Sequence, residues 1–154
     1  MSLNVTRFRS FMPLALDAAR AAALRGEVPV GAVIVAETGT VLAVEGNQTR
    51  ARNDPTAHAE ILAIRRACSV LDQERLTGCD MYVTLEPCAM CAQAVAHARL
   101  RRLYYGAPDP RSGGVAHGAR VFAHAQCHHV PEVYDGLQAE ASSALLKSFF
   151  EKLR

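Results

Sequence analysis

No stretch of this 154-residue chain is apolar for the length of a membrane span, and its opening residues, MSLNVTRFRSF, lack the apolar core of a secretory signal. No membrane partner is expected, and the cytoplasm is the expected location. The chain also lacks internal repeats and low-complexity segments. Strong charge is missing too: 17 Lys and Arg stand against 15 Asp and Glu, and a formal net charge of +2 is too small to announce a nucleic-acid partner. The cysteines number five, an odd count without regular spacing, which argues against a disulfide framework. In a reducing compartment the close pair Cys88 and Cys91 then reads as metal-binding or redox-active, while Cys68, Cys79 and Cys127 read as small core residues or bystanders.

What is present suffices for one core. With 50% hydrophobic and 21% charged residues, residues 1–154 read as a single domain. Arginine greatly outnumbers lysine, and Arg99, Arg101 and Arg102 cluster after a predicted helix. Guanidinium groups suit phosphate recognition, and a solvated helix end explains the cluster equally well.

Apolar and Ala-rich positions from Phe8 to about Leu24 recur at helical spacing, with Gly26 placed to end the helix. VGAVIVA and VLAVEG are β-branched runs joined across residues 37–40, where Gly39 supplies the turn of a hairpin. Asp54, Pro55 and Thr56 offer capping and first-turn chemistry for a second helix reaching about Cys68. The strand MYVTL follows, Pro87 opens a third helix through about Ala98, and RLYYGA is the next strand. Helices alternating with strands in this way predict a mixed sheet covered on both sides. The Gly- and Pro-rich region 108–118 reads as a functional loop, and residues 138–154 as an amphipathic helix.

Two short fragments carry the chemistry. TAHAEI places His58 two residues before Glu60, and TLEPCAMC places Cys88 and Cys91 three apart behind Pro87. Sulfurs three apart at a helix start share one face, where exposed N–H groups and the helix dipole favour thiolate. His58 falls in the opening turn of its own helix. Three protein ligands and one position left for water describe a catalytic Zn²⁺ site, whereas a structural site fills all four. Glu60 lies about 200° around the helix from His58, so the pair converges only on a point beyond the helix end. There a carboxylate takes the proton of a water and later delivers one to a departing group. A thioredoxin-like redox site is weakened by the accompanying H-A-E. A structural zinc would need a fourth ligand from His97, Cys79, Cys127, His128 or His129.

The paired H-A-E and P-C-x-x-C motifs are a zinc deaminase signature. With EVPVGAV at residues 27–33, Asn47 ahead of DPTAHAEI, YYGAPD ending at Asp109 and LLKSFF closing at Phe150, the chain resembles the bacterial tRNA-specific adenosine deaminases of the cytidine deaminase superfamily. The resemblance implies a cytidine-deaminase-like three-layer α/β/α sandwich with a mixed central sheet of about five strands. It further implies a homodimer whose partner helps complete the RNA cleft, and hydrolysis of adenosine to inosine at the wobble position of a tRNA anticodon stem-loop. One Zn²⁺ per chain would be held by His58, Cys88 and Cys91, with Glu60 as the proton shuttle. Asn47 and the backbone N–H of Ala59 would read the base edge, Val30 and Leu85 would wall the pocket, and Pro87 would lend its carbonyl to the reacting water or ammonia. Core packing accounts for Val30 and Leu85 equally well.

Asp109 would contact ribose, or serve as a turn residue between two prolines. Of the adjacent Phe149 and Phe150, one would be core and the other free to stack on a nucleotide. The chain departs from the family pattern at His128–His129, where many relatives carry Asn-His, and at Pro108 and Pro110 around the loop acid. Two other readings remain open at this point: a free-nucleobase deaminase of the same fold acting on guanine or cytosine, and a non-catalytic zinc-containing RNA-binding subunit. Glu60 argues against the second, since nothing structural requires a carboxylate there.

Overall fold

The structure is a computed structural model and describes residues 8–153. Ten segments of regular structure run in the order α1 (Met12–Leu24), β1 (Gly31–Val35), β2 (Val41–Gly46), α2 (Ala59–Leu71), β3 (Asp80–Leu85), α3 (Ala89–His97), β4 (Arg102–Ala107), a single 3-10 turn (Val121–Ala123), β5 (Glu132–Tyr134) and α4 (Ala139–Lys152). The strands form one sheet in the order β2-β1-β3-β4-β5. β1 runs antiparallel to β2 and to β3, whereas β3, β4 and β5 are parallel, so the sheet is mixed as expected.

Successive side chains on a strand point to opposite faces, and the apolar residues sort accordingly. Val33, Val35, Tyr82 and Tyr104 join Phe11, Met12, Ala15 and Leu16 on the α1 side, where α4 adds Leu145. Ala32, Ile34, Met81, Val83, Leu103 and Tyr105 join Ala59, Ala63 and Ala67 of α2 and Val95 of α3 on the other. Both faces being covered, β1 is buried along its whole length and reads as a continuous apolar run rather than an alternation. Each large aliphatic residue so buried contributes about 1.5–3 kcal/mol of transfer free energy. The three layers are those of the cytidine-deaminase-like sandwich.

α1 crosses the sheet closest at Gly31. A Cβ there would overlap the carbonyl oxygen of Ala15 and lie 2.7 Å from the amide nitrogen of Ala19, so the helix backbone itself occupies the space a side chain would need. The small residues Ala15 and Ala19 make the same approach possible from the helix side.

Three helix starts lie later than the sequence pattern places them, for identifiable local reasons. α1 begins at Met12, with Pro13 in its first turn, leaving Phe8 outside the helix. Asp54 does not cap α2; its Oδ1 accepts the N–H and the hydroxyl of Thr56 at 2.8 and 2.7 Å, closing a separate turn. α2 therefore starts at Ala59 with His58 as its cap, and α3 starts at Ala89 with Cys88 as its cap. The tail helix ends at Lys152, and the expected last residue, Arg154, lies outside the described residues.

The arginine cluster is engaged within the chain. Arg101 forks onto Asp80 with bonds of 3.0 and 2.8 Å, Arg102 donates to Glu132 at 2.6 Å, and Arg99 donates to the His128 carbonyl at 3.1 Å. These contacts tie β3 to β4 and β4 to β5 at their starts, which favours the structural explanation of the cluster over phosphate recognition.

Candidate active site

The later helix starts decide the geometry of the site. As caps, His58 and Cys88 have extended backbones, with φ and ψ of −69° and 150° and of −68° and 174°. Their side chains leave the helix ends instead of lying along the helix flanks, while Cys91 enters from the first turn of α3. Nδ1 of His58 lies 3.6 Å from Sγ of Cys88 and 3.5 Å from Sγ of Cys91. Among the described residues these three form the one group of three or more metal-ligating side chains whose donor atoms all lie within 4.8 Å of one another.

The fit of zinc to this donor set follows from its dimensions. Tetrahedral bonds of about 2.3 Å to sulfur and about 2.0 Å to nitrogen separate the donors by roughly 3.6 Å, close to the spacing found here. Electrostatics agrees. The bond from Cys91, together with His58, brings the Cys88 thiol down to about 4 against the opposing effect of burial. The same partnership, reinforced by burial, pushes Cys91 strongly up, and the bond to Cys88 raises His58. A divalent ion held between these donors favours the thiolate form of both cysteines. None of the sequence candidates for a fourth protein ligand joins the group. His97 bonds Gln93, Cys127 bonds the His129 carbonyl, and His129 Nε2 bonds the Leu100 carbonyl.

Glu60 is buried, at 4% exposure, beside Cys91 and His58. Burial pushes its carboxyl above the ordinary carboxylate range, only partly offset by its backbone bond and by His58. That is the direction that suits a group exchanging protons near neutrality.

His58, Glu60 and Cys88 line a cleft of about 240 Å³ together with Val28, Val30, Asn47, Thr49, Ala59, Leu85, Glu86, Asp109 and Ser112. Val30 precedes β1, Leu85 ends β3, and Asp109 follows β4, so the cleft opens where the loops at one end of three strands converge. Of the residues expected from the sequence, Asn47, Ala59, Val30, Leu85 and Asp109 thus stand on its wall. Pro87 does not line it; its carbonyl accepts the N–H of Gly114 at 2.8 Å. Phe149 is half-buried and Phe150 is 48% exposed, and neither lines the cleft. Asp109 has the turn character expected of it, its Oδ1 accepting the N–H groups of Arg111 and Ser112, and it also lines the cleft.

Sequence reasoning missed Val28, Thr49, Glu86 and Ser112. Glu86 lay within the quoted TLEPCAMC, but nothing in a linear motif separates a ligand's neighbour from a residue with its own task. Glu27 was overlooked in the same way inside EVPVGAV. It is buried, and its carboxylate accepts the N–H groups of Arg50 and Ala51 at 2.9 and 3.3 Å, holding the turn that follows Asn47 and Thr49.

Residues 6–107 match the cytidine and deoxycytidylate deaminase zinc-binding region. Over 144 residues, 94% of either chain, the sequence is 57% identical to a tRNA-specific adenosine deaminase of Agrobacterium fabrum strain C58. The fold superposes with a TM-score of 0.87 on a structure solved in work on A-to-I editing by tRNA:A34 deaminases at the wobble position, with 58% identity over 88% of this chain and 98% of that one. It superposes with a TM-score of 0.78 on a guanine deaminase from Nitrosomonas europaea, with 25% identity over 90% of this chain and 81% of that one.

Proposed function

The chain belongs to the cytidine and deoxycytidylate deaminase family, and on that premise we propose that it is a zinc-dependent tRNA adenosine deaminase, hydrolysing adenosine to inosine at the anticodon wobble position. The observation that carries the substrate assignment is the 57% identity over 94% of the chain to a tRNA-specific adenosine deaminase, against 41% over 64% of the chain to a guanine deaminase from Bacillus subtilis and 25% over 90% of it to one from Nitrosomonas europaea.

Nδ1 of His58 and the sulfurs of Cys88 and Cys91 would hold the zinc, which when bound supplies a Lewis acid that acidifies a water molecule. Glu60 accepts the proton of the attacking water as its oxygen adds to C6 of the base. The same carboxyl then returns that proton to the exocyclic nitrogen, which departs as ammonia and leaves the C6 oxygen of inosine. Burial of Glu60 keeps bulk water from competing for this proton. Val30 and Leu85 flank the base with apolar surface, and the Asn47 carboxamide and the N–H of Ala59 orient its edge. Pro87 offers its second carbonyl lone pair to the reacting water or ammonia. Asp109 meets the ribose, where a 2′-hydroxyl donor distinguishes RNA from DNA. Of the two adjacent phenylalanines, Phe150, the more exposed, acts away from the reacting base on a flanking nucleotide, while Phe149 is half-buried.

The reading extends to the whole molecule. Residues 1–154 form one deaminase domain, whose two apolar clusters share a single sheet. Two copies assemble as a homodimer that completes the RNA cleft, and the enzyme works in the cytoplasm. No described helix is long and apolar enough to cross a membrane.

The test offers the chain an anticodon stem-loop with adenosine at the wobble position and, separately, free guanine, cytosine and cytidine. Inosine in the stem-loop with no ammonia from the free compounds is the expected outcome. Ammonia from free guanine or cytosine, with an unaltered stem-loop, overturns the tRNA assignment.

A further inference from the structure

The loop on the Asp109 side of the cleft, residues 108–118, contains neither helix nor strand, and its backbone is organised around one acidic side chain. Glu86 stands between Leu85 of the pocket wall and Pro87 before the metal-binding helix, with its side chain wholly buried. Its Oε1 accepts the N–H of Asp109 at 3.1 Å and lies 2.8 Å from Nδ1 of His117. Its Oε2 accepts the N–H groups of Val115, Ala116 and His117 at 3.2, 3.1 and 3.1 Å. Both ends of the loop are therefore drawn to one carboxylate. An ionised carboxylate is suited to this because it offers acceptors on both oxygens and no competing donor.

The glycines of the loop leave the room. A Cβ on Gly113 would overlap Oε2 of Glu86 and stand 2.5 Å from the Asp109 carbonyl oxygen. Gly114 donates to the Pro87 carbonyl, which adds a tie between the loop and the approach to α3. Asp109 in turn orients its own carboxylate by accepting from Arg111 and Ser112. The cleft-facing groups of this loop are thus held through a relay that begins at Glu86.

We propose that Glu86 is a positioning residue for RNA recognition, holding loop 108–118 so that Asp109 and Ser112 face the nucleotide whose base enters the cleft. Its carboxylate is fully engaged with loop donors and does not take part in proton transfer, which is the task of Glu60. The identity of the ligand rests on the tRNA deaminase reading; the hold of Glu86 on the loop does not.

The decisive variant is Glu86→Gln in the full, zinc-loaded chain. It preserves size but turns an amide NH₂ toward the N–H donors at one end of the side chain. Hydrogen exchange at the amides of Asp109, Val115, Ala116 and His117 should accelerate by about tenfold or more, the loss expected when charge-assisted bonds are broken, while β3 and α3 keep their protection. Single-turnover titration with the anticodon stem-loop should show half-saturation rising by about tenfold, with the rate at saturation falling less and zinc remaining at one per chain.

Gly113→Ala attacks the same contact from the loop side and should reproduce both changes, so it carries the test if the Glu86 variant does not fold. Unchanged exchange in the loop overturns the proposal, as does a lowered saturating rate at unaltered half-saturation. If the wild-type chain leaves the stem-loop untouched, the substrate reading fails, and the exchange pattern alone still decides whether Glu86 holds the loop.

Discussion

Nδ1 of His58 lies 3.5 Å from Sγ of Cys91 although the two residues are 33 positions apart. The contact exists because the chain caps of α2 and the first turn of α3 meet at one end of β3, which places helix N-terminal N–H groups and their positive dipoles around the thiolates. The proposed division of labour rests on it: three side chains have donor atoms close enough to share one metal ion, and Glu60, buried alongside, is the group we assign to proton transfer.

Glu60→Gln keeps the volume and removes the exchangeable carboxyl. Metal analysis should still find one zinc per chain, while inosine formation falls by about 10²–10⁴-fold, the usual worth of a general acid–base group. Loss of zinc in this variant would instead make Glu60 a ligand.

Zinc removal should loosen the fold as well as stop the reaction. At free zinc a thousandfold above its dissociation constant the ion contributes about 4 kcal/mol, so chelation should lower the thermal midpoint by calorimetry, and Cys88→Ala should show that lowered midpoint with or without added zinc. A midpoint indifferent to chelator would mean that the site forms no part of the folded state's stability.

Gly31→Ala tests the closest contact of α1 with the sheet. The added methyl meets helix backbone at Ala15 and Ala19 rather than a movable side chain, so α1 must retreat. Destabilisation of about 2–3 kcal/mol in urea is expected, at the upper end of overpacking costs. An unaltered midpoint would show that α1 slides freely over β1.

Asp72, at the end of α2, adopts the left-handed φ of 52° while its N–H and that of Gln73 bond the carbonyls of Ser69 and Cys68. Glycine occupies this conformation without the Cβ penalty. Asp72→Gly should therefore stabilise by about 0.5–1 kcal/mol, read as a thermal midpoint higher by about 1–4 °C. A lower midpoint would point to a role for the Asp72 carboxylate.

Asp54 supplies a pH signature. The hydroxyl and N–H of Thr56 hold its carboxyl below the ordinary range, so the folded state binds its proton less readily than the unfolded chain does. Stability from this turn is present above the unfolded value of about 3.9 and is lost as pH falls through the folded value. Asp54→Asn should melt below wild type at pH 6, and the gap should close as the pH drops under 4. A gap independent of pH would remove ionisation from the explanation.

The metal site was legible in the residues because ligand chemistry depends on residue type: a His, two Cys three apart and an acid beside the His restrict the possibilities before any folding is considered. Four of the five strands were legible for a similar reason, since the β-branched run Ala32–Val35 and the aromatic RLYYGA segment carry their own preference, whereas the short, exposed β5 carried no such signal. Helix starts were less so. Asp54 has the right chemistry to cap α2, yet bonding Thr56 directs the same oxygen elsewhere, and only the folded backbone arbitrates between two local bonds of similar worth.

What tertiary structure alone decided concerns residues whose neighbours come from distant parts of the chain. Glu86 meets its donors 23 to 31 positions away, Arg101 finds Asp80 across β3 and β4, and Phe149 and Phe150 lie off the cleft because α4 packs on the opposite face of the sheet. A residue's type sets which bonds it is able to make, and that much the amino-acid order determined. Which of those bonds form depends on the atoms that packing brings within about 3 Å, and no linear pattern records that distance.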